Sequence, residues 1–356
     1  MGRFFKGAGV LLGILAAAEA GGTAYFYRRT MKRSHAKTER TMKMSGTDWN
    51  QYFPVIEPKK DFMLAQPHSD VWIESDDSLK LHGVYFPAIT GAKAGDNTDA
   101  PGAGAKAADA GVDTADTGAA TADAGAEAAG IGANKLVICF HGYTSQCMSD
   151  FIGLSDYYFR HGFQILLVDA RAHGQSEGEY VGFGCKDRYD ALKWIQWAVD
   201  KAGEDCQILL HGISMGGATV LMTSGLKLLP QVKGIISDCA FTSAKEVFTH
   251  VLNTMYHLPA FPMIDIADRI NKKKAGYGLD EGNAAREVRH ASVPVLLIHG
   301  DKDTFVPCIM CEQIYENCSS PATKLIIPGA GHAESYYKDT AAYEQAMDSF
   351  IGGVIK

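Results

Sequence analysis

From Lys135 to its carboxyl end the chain alternates short apolar runs with longer stretches of helical spacing. Leu136–Phe140, Gln164–Val168, Ile208–His211, Val232–Ser237, Val293–His299 and Lys324–Ile327 are of strand length and almost continuously apolar, which predicts strands buried on both faces. Between them, Met148–His161, Cys185–Lys201, Ala218–Leu229, Ile309–Asn317 and Tyr343–Ile351 carry apolar residues at helical intervals. This alternation predicts an α/β fold, a mostly parallel central sheet with helices on both faces. Ligands of such sheets bind beyond the carboxyl ends of the strands. Val71–Ile73 and Leu79–Phe86 read as two further strands, joined by a turn at Asp76-Asp77.

Three stretches depart from the alternation. Residues 241–291 fall between two strands on their carboxyl side and hold an apolar helical face (Val247, Phe248, Val251, Leu252, Met255), which predicts a small helical lid. Residues 88–134 contain 18 Ala and 9 Gly and no aromatic residue, so they bury too little apolar area to offset their ordering entropy. They read as a disordered insertion. Gly7–Tyr27 is free of charge except for Glu19 and is long enough as a helix, about 31 Å, to cross a bilayer. Its larger apolar residues contribute roughly −3 kcal/mol to insertion, and Glu19 costs about the same. The expectation is an amino-terminal anchor that binds membrane lipid. A signal peptide cleaved after Ala18-Glu19-Ala20 and a surface-bound helix are the alternatives. The chain thus divides into an anchor and basic flank (1–33), a connector that packs on the body (34–69) and a catalytic domain (70–356).

Charge sharpens this picture. Residues 1–45 carry nine Lys and Arg against Glu19 and Glu39, whereas the whole chain of 356 residues has a net charge of −7. A basic amino-terminus on an acidic body argues against nucleic acid as a partner and fits an anionic membrane surface. The flank Arg28–Lys43 outweighs Arg3 and Lys6, which places the body on the cytoplasmic side of the anchor. The eight cysteines do not form the framework of a small disulfide scaffold. Cys308-Ile309-Met310-Cys311 has no second pair or paired His beside it and reads as one turn of helix.

The chemistry gathers at strand ends. Gly212-Ile213-Ser214-Met215-Gly216 lies between an apolar strand and an apolar helix. A sharp turn there exposes the Ser214 hydroxyl on a strained backbone. A serine needs a base, and the base needs an orienting acid. His332 follows the last strand between Gly331 and Ala333, and Asp303 follows the strand before it, so the order is Ser, Asp, His. Asp301 and Asp238 are rival acids, and His250, His257 and His299 are rival histidines with structural readings. The amides of Met215 and of Tyr143, in the turn after Phe140, are the candidate oxyanion donors. The Tyr143 ring is a candidate wall of the acyl pocket.

From about residue 70 onward the chain resembles the α/β-hydrolase superfamily. The resemblance rests on His141-Gly142, Asp169-Ala170-Arg171-Ala172-His173-Gly174-Gln175-Ser176, Gly212–Gly216, His299–Pro307 and Gly331-His332. In detail it is similar to bacterial, membrane-anchored, serine aminopeptidase-like members. Ala170 and Ala172 stand where the family commonly has glycine. The resemblance implies a serine hydrolase acting on a small acyl substrate, most simply a carboxylic ester, with neither metal nor organic cofactor. A peptidase, an acyltransferase and a non-catalytic membrane-anchored binding protein are the alternatives. Replacing residues 91–132 with a short Gly-Ser turn is expected to shift the melting temperature by less than about 3 °C, the effect of roughly 1 kcal/mol in a domain of this size. A larger fall in a calorimetric scan would show that the insertion packs on the body.

Overall fold

The computed structural model describes residues 21–33, 47–89 and 134–356. Eight strands form one sheet: β1 (Ser69–Glu74), β2 (Lys80–Phe86), β3 (Lys135–Phe140), β4 (Gln164–Val168), β5 (Gln207–Ile213), β6 (Val232–Asp238), β7 (Val295–Gly300) and β8 (Ala322–Ile327). Their spatial order is β1-β2-β4-β3-β5-β6-β7-β8. The β1–β2 and β2–β4 pairs are antiparallel, and every pair from β4 to β8 is parallel. This is the α/β-hydrolase fold.

The continuous apolar runs are explained by the period of two. In β3, Leu136, Ile138 and Phe140 enter one hydrophobic layer, and Val137 and Cys139 enter the other. The first layer is closed by α4 (Asp187–Ala202) with Trp194 and Ile195, by α5 (Met215–Thr223), and by α6 (Ala244–Thr254) from the stretch expected to form a lid. The second is closed by α3 (Ile152–Arg160) and α11 (Thr340–Val354), through Tyr157, Tyr158, Tyr343 and Met347. The same stretch continues through α7 (Met263–Lys274) and α8 (Ala284–Glu287). Helix α9 (Ile309–Asn317) joins the first layer with Cys311 buried, and α10 (Ser335–Lys338) joins the second through Tyr336.

Two helices are shorter than their periodicity predicts. Helix α3 starts at Ile152 instead of Met148, because residues before it are drawn into turns beside the site. Helix α5 ends at Thr223, ahead of Gly225 and Pro230, instead of Leu229. The connector holds a helix that periodicity did not indicate, α2 (Phe53–Ala65). Pro54 is accommodated in its first turn, where no amide donor is needed. The helix is held from outside. Met63 is buried, Phe62 meets the Phe159 ring, and Lys59 donates to the Gly153 carbonyl and to Asp156.

Residues 21–30, the described part of α1, are helical and lie against α6 and α7. Tyr27 and Met31 belong to the first layer, and the Phe26 and Phe248 rings meet edge-on at 5.6 Å. The Tyr27 hydroxyl donates to Asn271 on α7, and Val181 donates its amide to the Met31 carbonyl at 2.9 Å. The Arg33 guanidinium caps the carbonyls of Gly174 and Ser176. The stretch read from sequence as anchor and flank therefore contributes to the core of the body. Among the described residues no helix is long and apolar enough to cross a membrane. Residues 7–20 of the expected span and residues 90–133 of the expected insertion lie outside the described residues. Because Met31 is fully buried, Met31→Ala is expected to cost about 2–4 kcal/mol in urea denaturation. An unchanged midpoint would show that α1 is dispensable to the core.

Candidate active site

The site is built on the reversal from β5 into α5. Ser214 sits at the turn with φ 56° and ψ −113°, a conformation that costs a non-glycine residue roughly 1–3 kcal/mol. The close approach of backbone explains both flanking glycines. A Cβ on Gly216 would stand 1.8 Å from the Phe140 carbonyl oxygen, and one on Gly212 would stand 2.1 Å from the Gly216 carbonyl oxygen. The Ser214 amide donates to the Asp238 carbonyl at 2.8 Å, which ties the turn to the neighbouring strand β6.

The loops after β7 and β8 bring Asp303 and His332 to this turn. Ser214 Oγ lies 2.9 Å from His332 Nε2, and His332 Nδ1 lies 2.7 Å from Asp303 Oδ2. With Nδ1 donating to the carboxylate, Nε2 is left to accept the serine proton. The other Asp303 oxygen accepts the amides of Phe305 at 2.9 Å and Val306 at 2.8 Å. Burial pushes the Asp303 carboxyl up, but His332 and His299 outweigh it and hold the group well below the usual carboxylate range. All three side chains are buried, Ser214 being 6% exposed.

The rivals are placed elsewhere. The Asp238 side chain accepts the hydroxyls of Ser335 at 3.1 Å and Tyr343 at 3.3 Å, and burial raises its pKa to about 6. Asp301 is exposed and accepts the Gly329 amide at 2.6 Å. His250 donates to the Thr304 carbonyl, and His257 occupies an exposed turn. His299 lies at the end of β7 with Nε2 2.8 Å from the Val306 carbonyl oxygen and 3.4 Å from Asp303. It therefore braces the loop that carries the acid.

On the opposite side, Met215 opens α5, so its amide is one of that helix's amino-terminal donors. The turn holding Tyr143 abuts the serine, since a Cβ on Gly142 would stand 3.4 Å from Ser214 Cβ. Four bonds fix this turn. The Gly142 amide donates to Asp150 at 2.6 Å, the Thr144 amide to His173 Nε2 at 3.2 Å, the Cys147 amide to Asp169 at 2.8 Å, and the Ala170 amide to His141 Nε2 at 3.0 Å. The Tyr143 ring packs on Phe183 at 5.3 Å, and its hydroxyl donates to the Thr30 carbonyl at 3.0 Å.

Sequence reasoning missed the roles of Asp150 and His173. His173 Nδ1 donates to the Arg171 carbonyl at 3.0 Å, which leaves Nε2 as the acceptor for Thr144. Burial, with His141 beside it, lowers the His173 pKa to about 3, so the accepting form persists at neutral pH. His173 lies in a run already singled out, but its partner is about thirty residues away in sequence. Asp150 fell within Met148–His161, a stretch whose spacing reads as helix, so it gave no signal of this role. Ala172, where the family commonly has glycine, takes φ 62°, the left-handed conformation that glycine favours.

Two buried groups have metal-compatible donors, His82–Cys147–Asp169 and Cys239–Asp303–His332. Their carboxylates are already engaged. Asp169 accepts N–H bonds from Cys147, Gln175 and His82, and Asp303 accepts from Phe305, Val306 and His332. Both read as internal hydrogen-bond clusters.

Residues 135–278 match the family model for the alpha/beta hydrolase fold. The chain is 29% identical to the uncharacterized protein YqkD of Bacillus subtilis over 218 residues, 61% of this chain and 71% of the relative. It is 28% identical to the lysophosphatidylserine lipase ABHD12 of Danio rerio over 158 residues, 44% of this chain and 39% of the relative. A solved esterase from Pyrococcus furiosus shares the fold with a TM-score of 0.57 at 19% identity, covering 83% of this chain and 94% of the other. Residues 135–278 thus match the α/β-hydrolase family, and the sheet order shows the fold of that superfamily.

The bonding of the Tyr143 turn makes His173 testable. His173→Ala is expected to lower kcat for hydrolysis by about tenfold or more with little change in KM, because a displaced turn misplaces what it presents. His173→Gln, which restores an acceptor, should recover most of the loss. Equal rates in both variants and the parent would remove the turn from the mechanism.

Proposed function

We propose that the protein is a serine hydrolase that cleaves carboxylic esters through an acyl-enzyme. The observation that carries this reading is the buried line from Ser214 through His332 to Asp303, with separations of 2.9 Å and 2.7 Å. Ser214 Oγ attacks the acyl carbon as its proton passes to His332 Nε2. The electron pair of the carbonyl moves to its oxygen, and the amides of Met215 and Tyr143 receive that oxyanion. Collapse expels the alkoxide, which leaves as an alcohol with the proton from His332. Water then adds to the acyl group, His332 takes its proton, and the acid departs as Ser214 regains its hydrogen. Asp303 keeps Nε2 as the basic nitrogen and stabilises the imidazolium. Nothing in these steps draws on a metal or an organic cofactor.

The likeness to a protein named a lysophosphatidylserine lipase supports a lipid ester as the substrate class. An amphiphilic ester also suits a chain whose amino-terminal stretch, Gly7–Tyr27, we propose to attach to a membrane with the body on its cytoplasmic side.

A fluorophosphonate probe and a chain-length series of p-nitrophenyl esters test the assignment. Ser214→Ala is expected to abolish labelling and turnover, and His332→Ala to do nearly the same. Asp303→Asn should lower kcat by about 10⁴, as loss of the orienting acid does in other triads. If Asp303→Asn is nearly harmless while Asp238→Asn is not, the acid is Asp238. A labelled and active Ser214→Ala variant would defeat the reading altogether.

A further inference from the structure

The lid exposes an apolar edge that the mechanism does not use. The turn between α6 and α7 presents Met255, Tyr256, Leu258 and Phe261 to the outside, with Phe261 75% exposed. Tyr25 on α1 is 69% exposed. Isolated exposed apolar side chains are ordinary, but several on one edge mark an interaction surface. The two elements meet there. A Cβ on Gly22 would stand 3.7 Å from the terminal methyl of Met263, two residues beyond Phe261. Tyr27, one and a half turns along α1, bonds Asn271 on α7, so the two helices run side by side in the same direction. Residue 21, the first described in α1, and the start of α7 both lie at the apolar edge.

Two observations say what meets this edge. The first is the chain beyond it. Residues 7–20, which join the start of α1, are apolar in sequence apart from Glu19. The second is charge. Both helices end in basic residues, Arg28 and Arg29 on α1 and Lys272, Lys273 and Lys274 on α7, all exposed. Arg28 lies about 10 Å along the helix from Gly21, so it comes to the headgroup layer when the edge sinks about 5–10 Å into the bilayer. An apolar edge backed by a basic band matches the acyl and headgroup layers of an anionic bilayer, in that order. A file of rings also leads inward from the edge. Phe26 meets Phe248 at 5.6 Å, Phe248 meets Phe183 at 5.1 Å, and Phe183 meets Tyr143 at 5.3 Å, beside Ser214.

We propose that the edge formed by residues 21–25 of α1 and the α6–α7 turn docks on an anionic phospholipid bilayer and turns the hydrolytic site toward esters held in that surface. This deepens the serine-hydrolase reading by naming its substrate as membrane-borne. The docking itself goes beyond attachment by residues 7–20, because it assigns a bilayer contact to the lid.

The test uses the full chain carrying Phe261→Trp, with the unsubstituted chain as the reference for its four native tryptophans. Phosphatidylglycerol vesicles with brominated acyl chains should quench the added emission by about half or more, since bromine quenches only an indole that reaches the acyl layer. An added indole that stays unquenched on a chain that sediments with the vesicles overturns docking and leaves attachment to the amino-terminal stretch alone. An indole already shielded from aqueous iodide without vesicles also overturns it. That result means another part of the chain, or a second copy, covers the edge. A second arm reads catalysis. The triple variant Tyr256→Ser, Leu258→Ser, Phe261→Ser should hydrolyse soluble p-nitrophenyl acetate at the parent rate and a lipid ester in phosphatidylglycerol vesicles about tenfold more slowly. An equal rate on the vesicle ester overturns the proposal. If the parent cleaves neither substrate, the hydrolase reading fails, and the quenching arm still decides the docking.

Discussion

The structure depends on one backbone reversal. At Ser214 the chain leaves β5 and enters α5 within a single residue of positive φ. This requires the carbonyl of Phe140 to pass where a side chain on Gly216 would stand. The clearance that permits the turn is therefore the same clearance that brings the end of β3, and the Tyr143 turn after it, against the serine. The strain is local, and large apolar burial offsets it. Every residue of α5 is buried, between β3, β5, β6 and α4. A strained turn survives when both elements it joins are fixed on their other sides.

Two carboxylates close to this turn show how environment selects the acid. Asp303 and Asp238 both follow strands, and both are buried. Asp303 receives two amides and faces two histidines, which favours its charge and lowers its pKa. Asp238 receives two neutral hydroxyls, and burial leaves its pKa raised to about 6. Only Asp303 is both charged and directed at His332 Nδ1.

Much of this was legible because it is written in local order. The strands, most helices and the Ser214, Asp303 and His332 positions follow from apolar period and from residues at strand ends. What was not legible depends on distant partners. Helix α2 carries Pro54 and Pro58 and has little apolar periodicity, so contacts with α3 hold it in place of its own propensity. His173 acts by accepting an amide from a turn 29 residues away in sequence, whereas Asp150 lies eight residues from its partner Gly142 in a stretch whose spacing reads as helix. The amino-terminal stretch shows a different limit. Its composition speaks of lipid, yet Tyr27 and Met31 pack in the body. Hydropathy cannot tell an apolar residue destined for lipid from one destined for a core.

That last point bears on how attachment and catalysis relate. Helix α1 is seated by a buried Met31, worth about 2 kcal/mol of apolar burial, and by hydrogen bonds worth about 1 kcal/mol each. One further bond links the Thr30 carbonyl to the Tyr143 hydroxyl. The residue whose amide is proposed to receive the oxyanion is thus held from behind by the helix proposed to lead to the membrane. A flexible tether would isolate the site from events at the bilayer. This helix does not. Any pull that shifts α1 along its axis must break the Tyr143–Thr30 bond or carry the Tyr143 turn with it. The rigid bonding of that turn to Asp150 and His173 favours breaking the bond. The oxyanion donors would then keep their place while the ring of Tyr143 is released, so the acyl wall would yield before the chemistry does.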